Sequence, residues 1–113
     1  MASEERSESG FTISQSHRDG VPVVRVDGEL DMLGCPKLER TLEGMTDLSG
    51  EIVLDMRGLE FIDSSGIRCI FEHGRARRAL HGGSLVCLVS AGGPVHRVIE
   101  ITGLAGEIDV RQG

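Results

Sequence analysis

Four consecutive residues, Asp63, Ser64, Ser65 and Gly66, place a carboxylate and two hydroxyls at the predicted start of a helix. The first N–H groups of a helix have no partner within it and the helix dipole is positive there, so a phosphoryl group on a serine at this point is electrostatically favoured. Asp and Ser are also the commonest residues that cap helices. Their spacing alone therefore leaves both a phosphorylation site and an ordinary cap open.

A second acidic segment, residues 27–31, follows a predicted strand and ends at Asp31. We interpret it as a polar loop. In open α/β sheets the functional crevice lies beyond the carboxyl ends of the strands. Because the loops at 27–31 and 61–66 both follow strands, we expect Asp31 to lie close to Ser64. Carboxylates there could orient the serine hydroxyl or a magnesium ion brought by a kinase, although exposed loop acids are usually only solvated.

The elements that must position these residues alternate along the chain. Residues 11–15 and 21–26 predict a hairpin around Asp19-Gly20. Apolar spacing and Pro or Gly boundaries predict helices at 35–44, 64–80 and 94–101 and strands at 52–55, 84–89 and 108–110. This order predicts an α/β fold with one mixed β-sheet of about five strands, an N-terminal hairpin, parallel later strands and helices packed on the sheet.

Composition and charge exclude several classes of function. The chain has 113 residues, a formal net charge of −6 and no apolar run of the roughly 20 residues that span a bilayer. We expect one domain at residues 11–113 after a flexible polar arm at residues 1–10, in a cytoplasmic protein without membrane contact. The acidic charge argues against direct nucleic-acid binding, and we interpret the arginine-rich run at 75–78 as a solvated helix surface.

The cysteines and histidines predict no metal site and no cofactor. Cys35, Cys69 and Cys87 form no CxxC pair and no cluster with histidine at zinc-site spacing, as in a reduced protein. Cys69 and Cys87 lie in apolar patterns typical of a core. Cys35 stands beside Pro36 at a predicted helix start, where the dipole could lower the pKa of its thiol, and an inert cysteine is the alternative.

Two motifs carry a likeness to a known family. Gly-Glu-Leu-Asp at 28–31 and Phe-Ile-Asp-Ser-Ser-Gly-Ile at 61–67 resemble the STAS domain of bacterial anti-sigma factor antagonists. The likeness continues through the strand at 82–89 and the helix and turn at 95–104, so that it covers residues 11–110.

The resemblance implies a binding module and not an enzyme. Members of this family bind a GHKL-type serine kinase that also acts as an anti-sigma factor, and this releases the sigma factor. The phosphorylated antagonist no longer binds, and a metal-dependent serine phosphatase restores the active form. The family's modified serine corresponds to Ser64, with Ser65 as a secondary candidate. The implied partner-binding residues are Asp31, Asp63, Ser64, Ser65, Gly66 and Arg68.

Two departures from the family pattern concern Arg68 and the end of the chain. Many relatives have a small residue where this chain has Arg68, four residues after Ser64 on the same helical face. Arg68 could pair with a phosphate, contact an acidic patch on a particular partner, or form only a surface ion pair with Glu72. We also expect the C-terminal helix that relatives commonly carry to be lacking, which would expose the last strand and one sheet face and favour weak self-association or another partner.

Two other functions stay open. A STAS-type accessory or regulatory subunit of a transport or stress-sensing complex would dock without a phosphorylation cycle. A serine hydrolase would use Ser64 as its nucleophile, but the sequence has no Gly-x-Ser-x-Gly elbow and no evident histidine partner for it.

Overall fold

The computed structural model describes residues 3–6, 10–45, 50–103 and 108–113. In these ranges the chain forms the strands β1 (Ser3–Arg6), β2 (Phe11–Arg18), β3 (Val21–Leu30), β4 (Glu51–Ile62), β5 (Ser84–Val89) and β6 (Asp109–Gln112). The helices are α1 (Cys35–Glu43), α2 (Ser64–His81) and α3 (Pro94–Thr102). None of these helices is both long enough and apolar enough to cross a membrane.

All six strands belong to one mixed sheet, in which their order is their order in the chain. β1, β2 and β3 pair antiparallel, whereas β3 to β6 pair parallel. The β2–β3 hairpin turns at Asp19 and Gly20, whose φ angles of 52° and 81° suit a tight hairpin turn. The predicted α/β fold, with its N-terminal hairpin and parallel later strands, is confirmed.

One face of the sheet carries the hydrophobic core. Alternate residues of each central strand are buried there, as Val24 and Val26 are in β3. Each helix adds apolar side chains to the same cluster, and these are Leu38 and Leu42 from α1, Ile67, Ile70 and Phe71 from α2, and Val95 and Ile99 from α3. The three helices therefore pack on the same face of the sheet.

The opposite face forms a shallow depression of about 670 Å³, and among the described residues no helix covers it. Asp55 is buried on this face, and its carboxylate accepts hydrogen bonds from Nε and Nη2 of Arg57 at 3.0 and 2.9 Å. Burial alone would raise the pKa of Asp55, but the hydrogen bonds from Arg57 hold it below its usual value. The expected lack of a C-terminal helix and self-association through an exposed sheet face both stay predictions.

Two strands are longer than predicted. β3 continues to Leu30 and β4 to Ile62, through the segments predicted as a polar loop and a short turn. The strands remain paired past two register shifts, and such irregularities break the alternation of apolar and polar residues that marks a strand in a sequence. The prediction of a polar loop at 27–31 is therefore wrong up to Leu30.

The edge strand β1 lies within residues 1–10, which we predicted as a flexible polar arm. It pairs antiparallel with residues 12–15 of β2. Its sequence, Ser-Glu-Glu-Arg, contains no apolar residue, so no hydrophobic pattern indicated a strand. The sheet consequently has six strands instead of about five, while residues 1, 2 and 7–9 lie outside the described residues.

Arg77 corrects the prediction of a solvated helix surface at residues 75–78. Its side chain is 1% exposed, and its Nε and Nη2 donate to the carbonyl oxygen of Gly50 at 3.4 and 3.2 Å. An arginine can bury its long apolar stem and still bring its guanidinium to a backbone carbonyl. Arg77 therefore ties the second half of α2 to the residue before β4.

Gly66 lets the first turn of α2 pack against the ends of β3 and β4. A Cβ atom at this position would lie 2.8 Å from Cγ1 of Ile62 and 2.9 Å from the carbonyl oxygen of Leu30. The carbonyl is part of the backbone and cannot move without disturbing the strand that carries it. The helix can begin this close to the sheet because residue 66 has no side chain.

We predict that Gly66→Ala lowers the free energy of unfolding by about 1–3 kcal/mol, because the added methyl group overpacks against a backbone carbonyl and a buried isoleucine. Ser64→Ala is the control: Ser64 is exposed in the same helical turn, and the change should stay within about 0.5 kcal/mol. Urea denaturation followed by circular dichroism measures both variants. Equal stability of the two would contradict the close packing at Gly66.

Candidate functional site

The carboxyl ends of β3 and β4 lie side by side at one edge of the sheet. Leu30, the last residue of β3, pairs in register with Ile62, the last residue of β4. Just beyond them, the N–H of Asp63 donates to the carbonyl oxygen of Leu30 at 3.2 Å. The loop that begins at Asp31 and the helix that begins at Ser64 therefore leave the sheet at adjacent points, which is the convergence that the sequence predicts.

Asp63 caps α2. Its backbone is extended, with φ −101° and ψ −178°, and its Oδ1 accepts a hydrogen bond from the N–H of Gly66 at 2.9 Å. Its carbonyl oxygen accepts the N–H of Ile67 at 3.0 Å, which begins the helical hydrogen-bond ladder. The cap that the sequence left open is therefore present, and it commits one carboxylate oxygen of Asp63 to the backbone.

Ser64 is the first residue of α2, and it is exposed. Among the described residues, no group forms a hydrogen bond with its hydroxyl. Because Asp63 supplies the cap, the serine hydroxyl is not used to hold the helix. It stands beside N–H groups at the positive end of the helix dipole, where an added anion is favoured.

Asp31 shapes the loop between β3 and α1. Its Oδ1 accepts hydrogen bonds from the N–H groups of Leu33 and Gly34 at 3.0 and 3.3 Å. A carboxylate that accepts from the backbone two residues ahead is a common way for Asp to fix a turn. Within the described part of the chain, Asp31 and Ser64 share no hydrogen bond, so Asp31 fixes the backbone beside the serine and does not orient its hydroxyl.

Ser65 and Gly66 face inward. Ser65 is half-buried, and its carbonyl oxygen accepts a hydrogen bond from the thiol of Cys35 at 3.3 Å. Gly66 is buried and has no side chain to offer a partner. Of the two serines at this helix start, only Ser64 is exposed.

A groove of about 440 Å³ extends from Ser64 along α2 towards α3. It has apolar and charged walls, formed by Ser64, Ile67, Arg68, Phe71, Glu72, Arg75, Val98 and Thr102. Arg68 is exposed at this groove and forms no ion pair with any described residue. The surface pair between Arg68 and Glu72 that the sequence allowed is therefore not formed.

Three large apolar side chains beside the site are exposed, and we call them the apolar edge: Met32 and Leu33 by 67% each and Phe61 by 49%. Met32 and Leu33 follow Asp31 in the loop after β3, and Phe61 is the last residue but one of β4. These three residues were not among the predicted site residues. They could have been found as apolar residues in or next to a short loop, where no helix or strand periodicity explains them.

Cys35 is not an activated thiol. Burial raises its pKa, a hydrogen bond with Cys69 opposes that rise in part, and nearby carboxylates including that of Asp63 raise the pKa further. Of the two alternatives for Cys35, a thiol whose pKa the helix dipole lowers and an inert cysteine, the raised pKa favours the inert cysteine. Cys69 and Cys87 are buried, as predicted for core residues, and burial raises the pKa of both.

Within the described ranges, no group of three or more His, Cys, Asp or Glu side chains is arranged to hold a metal ion. His73 lies with Glu39 and Glu43 at a small cavity of about 170 Å³, and burial lowers its pKa. No histidine is among the described residues that line the groove with Ser64.

Comparisons with known proteins agree with this geometry. A family model described as the STAS domain matches residues 12–113. A similar protein, the anti-sigma F factor antagonist of Paenibacillus polymyxa, is 32% identical over 94 residues, which cover 81% of this chain and 79% of that relative. The crystal structure of an anti-sigma factor antagonist from Mycobacterium paratuberculosis has the same fold, with a TM-score of 0.78 at 24% identity over 96% of this chain and 92% of that one. The chain therefore belongs to the STAS domain family, and its resemblance to the anti-sigma factor antagonists of that family is confirmed.

Proposed function

We propose that this protein is an anti-sigma factor antagonist that binds a serine-kinase anti-sigma factor through the surface around Ser64, and that phosphorylation of Ser64 switches this binding off. The observation that carries the proposal is that Ser64 is exposed and that its hydroxyl is not needed to cap the helix, because Asp63 is the cap. The name of the Paenibacillus polymyxa relative supports the general role. Ser64 is a substrate residue in this proposal, and the protein itself is not an enzyme.

The proposed docking surface combines Ser64, the groove beside it and the apolar edge. Exposed apolar side chains within a polar surround are typical of surfaces that bind other proteins. The carboxylates of Asp31 and Asp63 give the serine an acidic surround, and the chain carries a net charge of −6. A partner with a basic surface would therefore be attracted at long range and oriented towards this side.

The charge of the phosphate explains the switch. Phosphoserine carries roughly −1.5 to −2 charges near neutral pH. The free protein tolerates this charge, because the start of α2 favours an anion that remains in water. In the complex the phosphate would lose that water against the partner, beside the carboxylate of Asp63, and burying a charge that is not fully compensated costs several kcal/mol. Since about 1.4 kcal/mol is a tenfold change in affinity, the modification is sufficient to release the partner.

The complete cycle needs two other proteins in the cytoplasm. A GHKL-type serine kinase, which is also the anti-sigma factor, adds the phosphate, and a metal-dependent serine phosphatase removes it. Any metal comes with these enzymes, and no nucleic-acid contact of this chain takes part. A STAS-type accessory subunit would use the same fold for docking, but its binding would not depend on the charge of Ser64.

We predict that incubation with a GHKL-type anti-sigma kinase and ATP adds one phosphate at Ser64. Ser64 is exposed and Ser65 is half-buried, so a kinase reaches the first hydroxyl more readily than the second. Tandem mass spectrometry locates the phosphate in the wild type, in Ser64→Ala, which should lose it, and in Ser65→Ala, which should keep it. Modification of Ser65 in preference to Ser64 would be incompatible with this assignment.

We predict that Ser64→Asp weakens binding to the kinase by at least about tenfold, because it places an unpaired carboxylate in the interface. Ser64→Ala should bind as tightly as the wild type. Isothermal titration calorimetry measures both affinities, and circular dichroism checks that both variants fold. Equal affinities for the two variants would argue for an accessory subunit that docks without a phosphorylation cycle.

We predict that Leu33→Ala weakens the same complex by about tenfold, because a leucine that is 67% exposed in the free protein becomes buried against the kinase. Leu80→Ala is the matched control, since Leu80 is 75% exposed near the other end of α2. Surface plasmon resonance compares the two variants. If Leu33→Ala leaves the affinity unchanged, or if Leu80→Ala lowers the affinity equally, the apolar edge is not part of the docking surface.

A further inference from the structure

We infer that Arg68 is shared between two acids: a carboxylate of the binding partner while Ser64 is unmodified, and the phosphate of Ser64 once it has formed. This inference rests on the proposed function and names the side chain through which the modification acts. Phosphorylation would then do two things at once. It would add a charge to the interface, and it would withdraw a cation that the partner needs.

The geometry of α2 brings Arg68 to Ser64. The two residues are four apart in one helix, which places them on the same face, and both line the groove beside α2. Helical side chains lean towards the N-terminus, so the guanidinium of Arg68 extends in the direction of Ser64. Arg68 is exposed and forms no ion pair among the described residues, so no ion pair within them has to break before it binds an acid.

The groove defines the chemistry of the partner. Ile67, Phe71 and Val98 give it an apolar wall, while Arg68 adds a cation that forms no ion pair among the described residues. A partner that fills the groove covers Arg68, and a covered cation without an acceptor is strongly unfavourable. The partner segment that fits therefore presents an apolar side chain to the groove and a carboxylate to Arg68.

A phosphate on Ser64 competes for the same guanidinium. Arginine binds phosphate oxygens with paired, charge-assisted hydrogen bonds, and the phosphate carries more charge than a carboxylate. The phosphate is also held in the same chain at a fixed separation, so the contact needs no association of two molecules. Arg68 therefore turns to the phosphate, and the carboxylate of the partner loses its cation.

The first experiment uses the full chain with phosphoserine introduced at position 64 during translation, which requires no kinase. We expect ³¹P NMR titration to show that Arg68→Gln raises the second pKa of the phosphate, normally about 6, by about half a pH unit. Arg78→Gln is the matched control, because Arg78 is exposed on the same helix but does not line the groove. Asp63, Glu72 and Arg75 are common to all these variants, so their charges cancel in the comparison.

The second experiment measures binding of the unmodified chain to the serine-kinase anti-sigma factor. Arg68→Gln should lower the affinity by about fivefold, Arg68→Lys by less, and Arg78→Gln not at all. The affinity of Arg68→Gln should also depend less on salt concentration, because one ion pair is missing from the interface. If Arg68→Gln behaves like Arg78→Gln in either experiment, the inference is overturned.

The inference and the proposed function fail in different ways. If the phosphorylated wild type binds the kinase as tightly as the unmodified protein, the proposed switch is wrong whatever Arg68 does. If phosphorylation abolishes binding but Arg68→Gln changes neither the titration of the phosphate nor the affinity, the switch stands and the role of Arg68 is wrong.

Discussion

The close approach of the first turn of α2 to the end of β3 determines the geometry of the whole site. The carbonyl oxygen of Leu30 accepts the N–H of Asp63 and faces the bare Cα of Gly66. A side chain at position 66 would separate the helix from the strand. Because the two stay in contact, the loop after β3 and the start of α2 meet at one edge of the sheet. Ser64 occupies the exposed side of that junction.

The carboxylates near Ser64 accept hydrogen bonds from backbone N–H groups. Asp31 accepts hydrogen bonds from the loop before α1, and Asp63 accepts one from the first turn of α2. Catalysis by a serine would need a base directed at its hydroxyl, whereas recognition by another protein needs an exposed group on a rigid support. The arrangement of these carboxylates suits recognition, because they fix the position of the serine without bonding to it.

Much of this fold follows from local sequence patterns. The hairpin, the alternation of helices with parallel strands and the cap at Asp63 rest on apolar periodicity and on residue types with strong positional preferences, and all are present. β4 was predicted too short, because its pairing with β3 passes through register shifts that no single-strand pattern encodes. β1 was not predicted, because its four residues join the sheet only through backbone pairing.

Sequence patterns predicted the residues of the candidate site that belong to a motif. They did not predict the residues whose exposure or burial depends on tertiary packing. Ser64 and Asp63 follow from the motif, whereas the exposure of Met32 and Leu33 depends on how the loop after β3 leaves the sheet. Arg77 was assigned to the surface with its basic neighbours, although it lies three residues after the buried Gly74 and so continues the inward face of α2. That interpretation predicted exposure from the charge of Arg77. Its position on the helix would have predicted its burial correctly.

The order of the strands in the sheet also bears on biosynthesis. Each strand from β2 to β6 pairs with the strand that leaves the ribosome immediately before it, so no pairing has to wait for a distant part of the chain. Asp31 and Asp63, whose carboxylates fix the backbone beside Ser64, both belong to the stretch from the end of β3 to the start of α2. Val98 and Thr102 of α3, which complete the groove, are translated about 30 residues after the first turn of α2, on the order of seconds later at ~5–20 residues per second. In the nascent chain, the residues that support the serine therefore emerge before the α3 side of the groove.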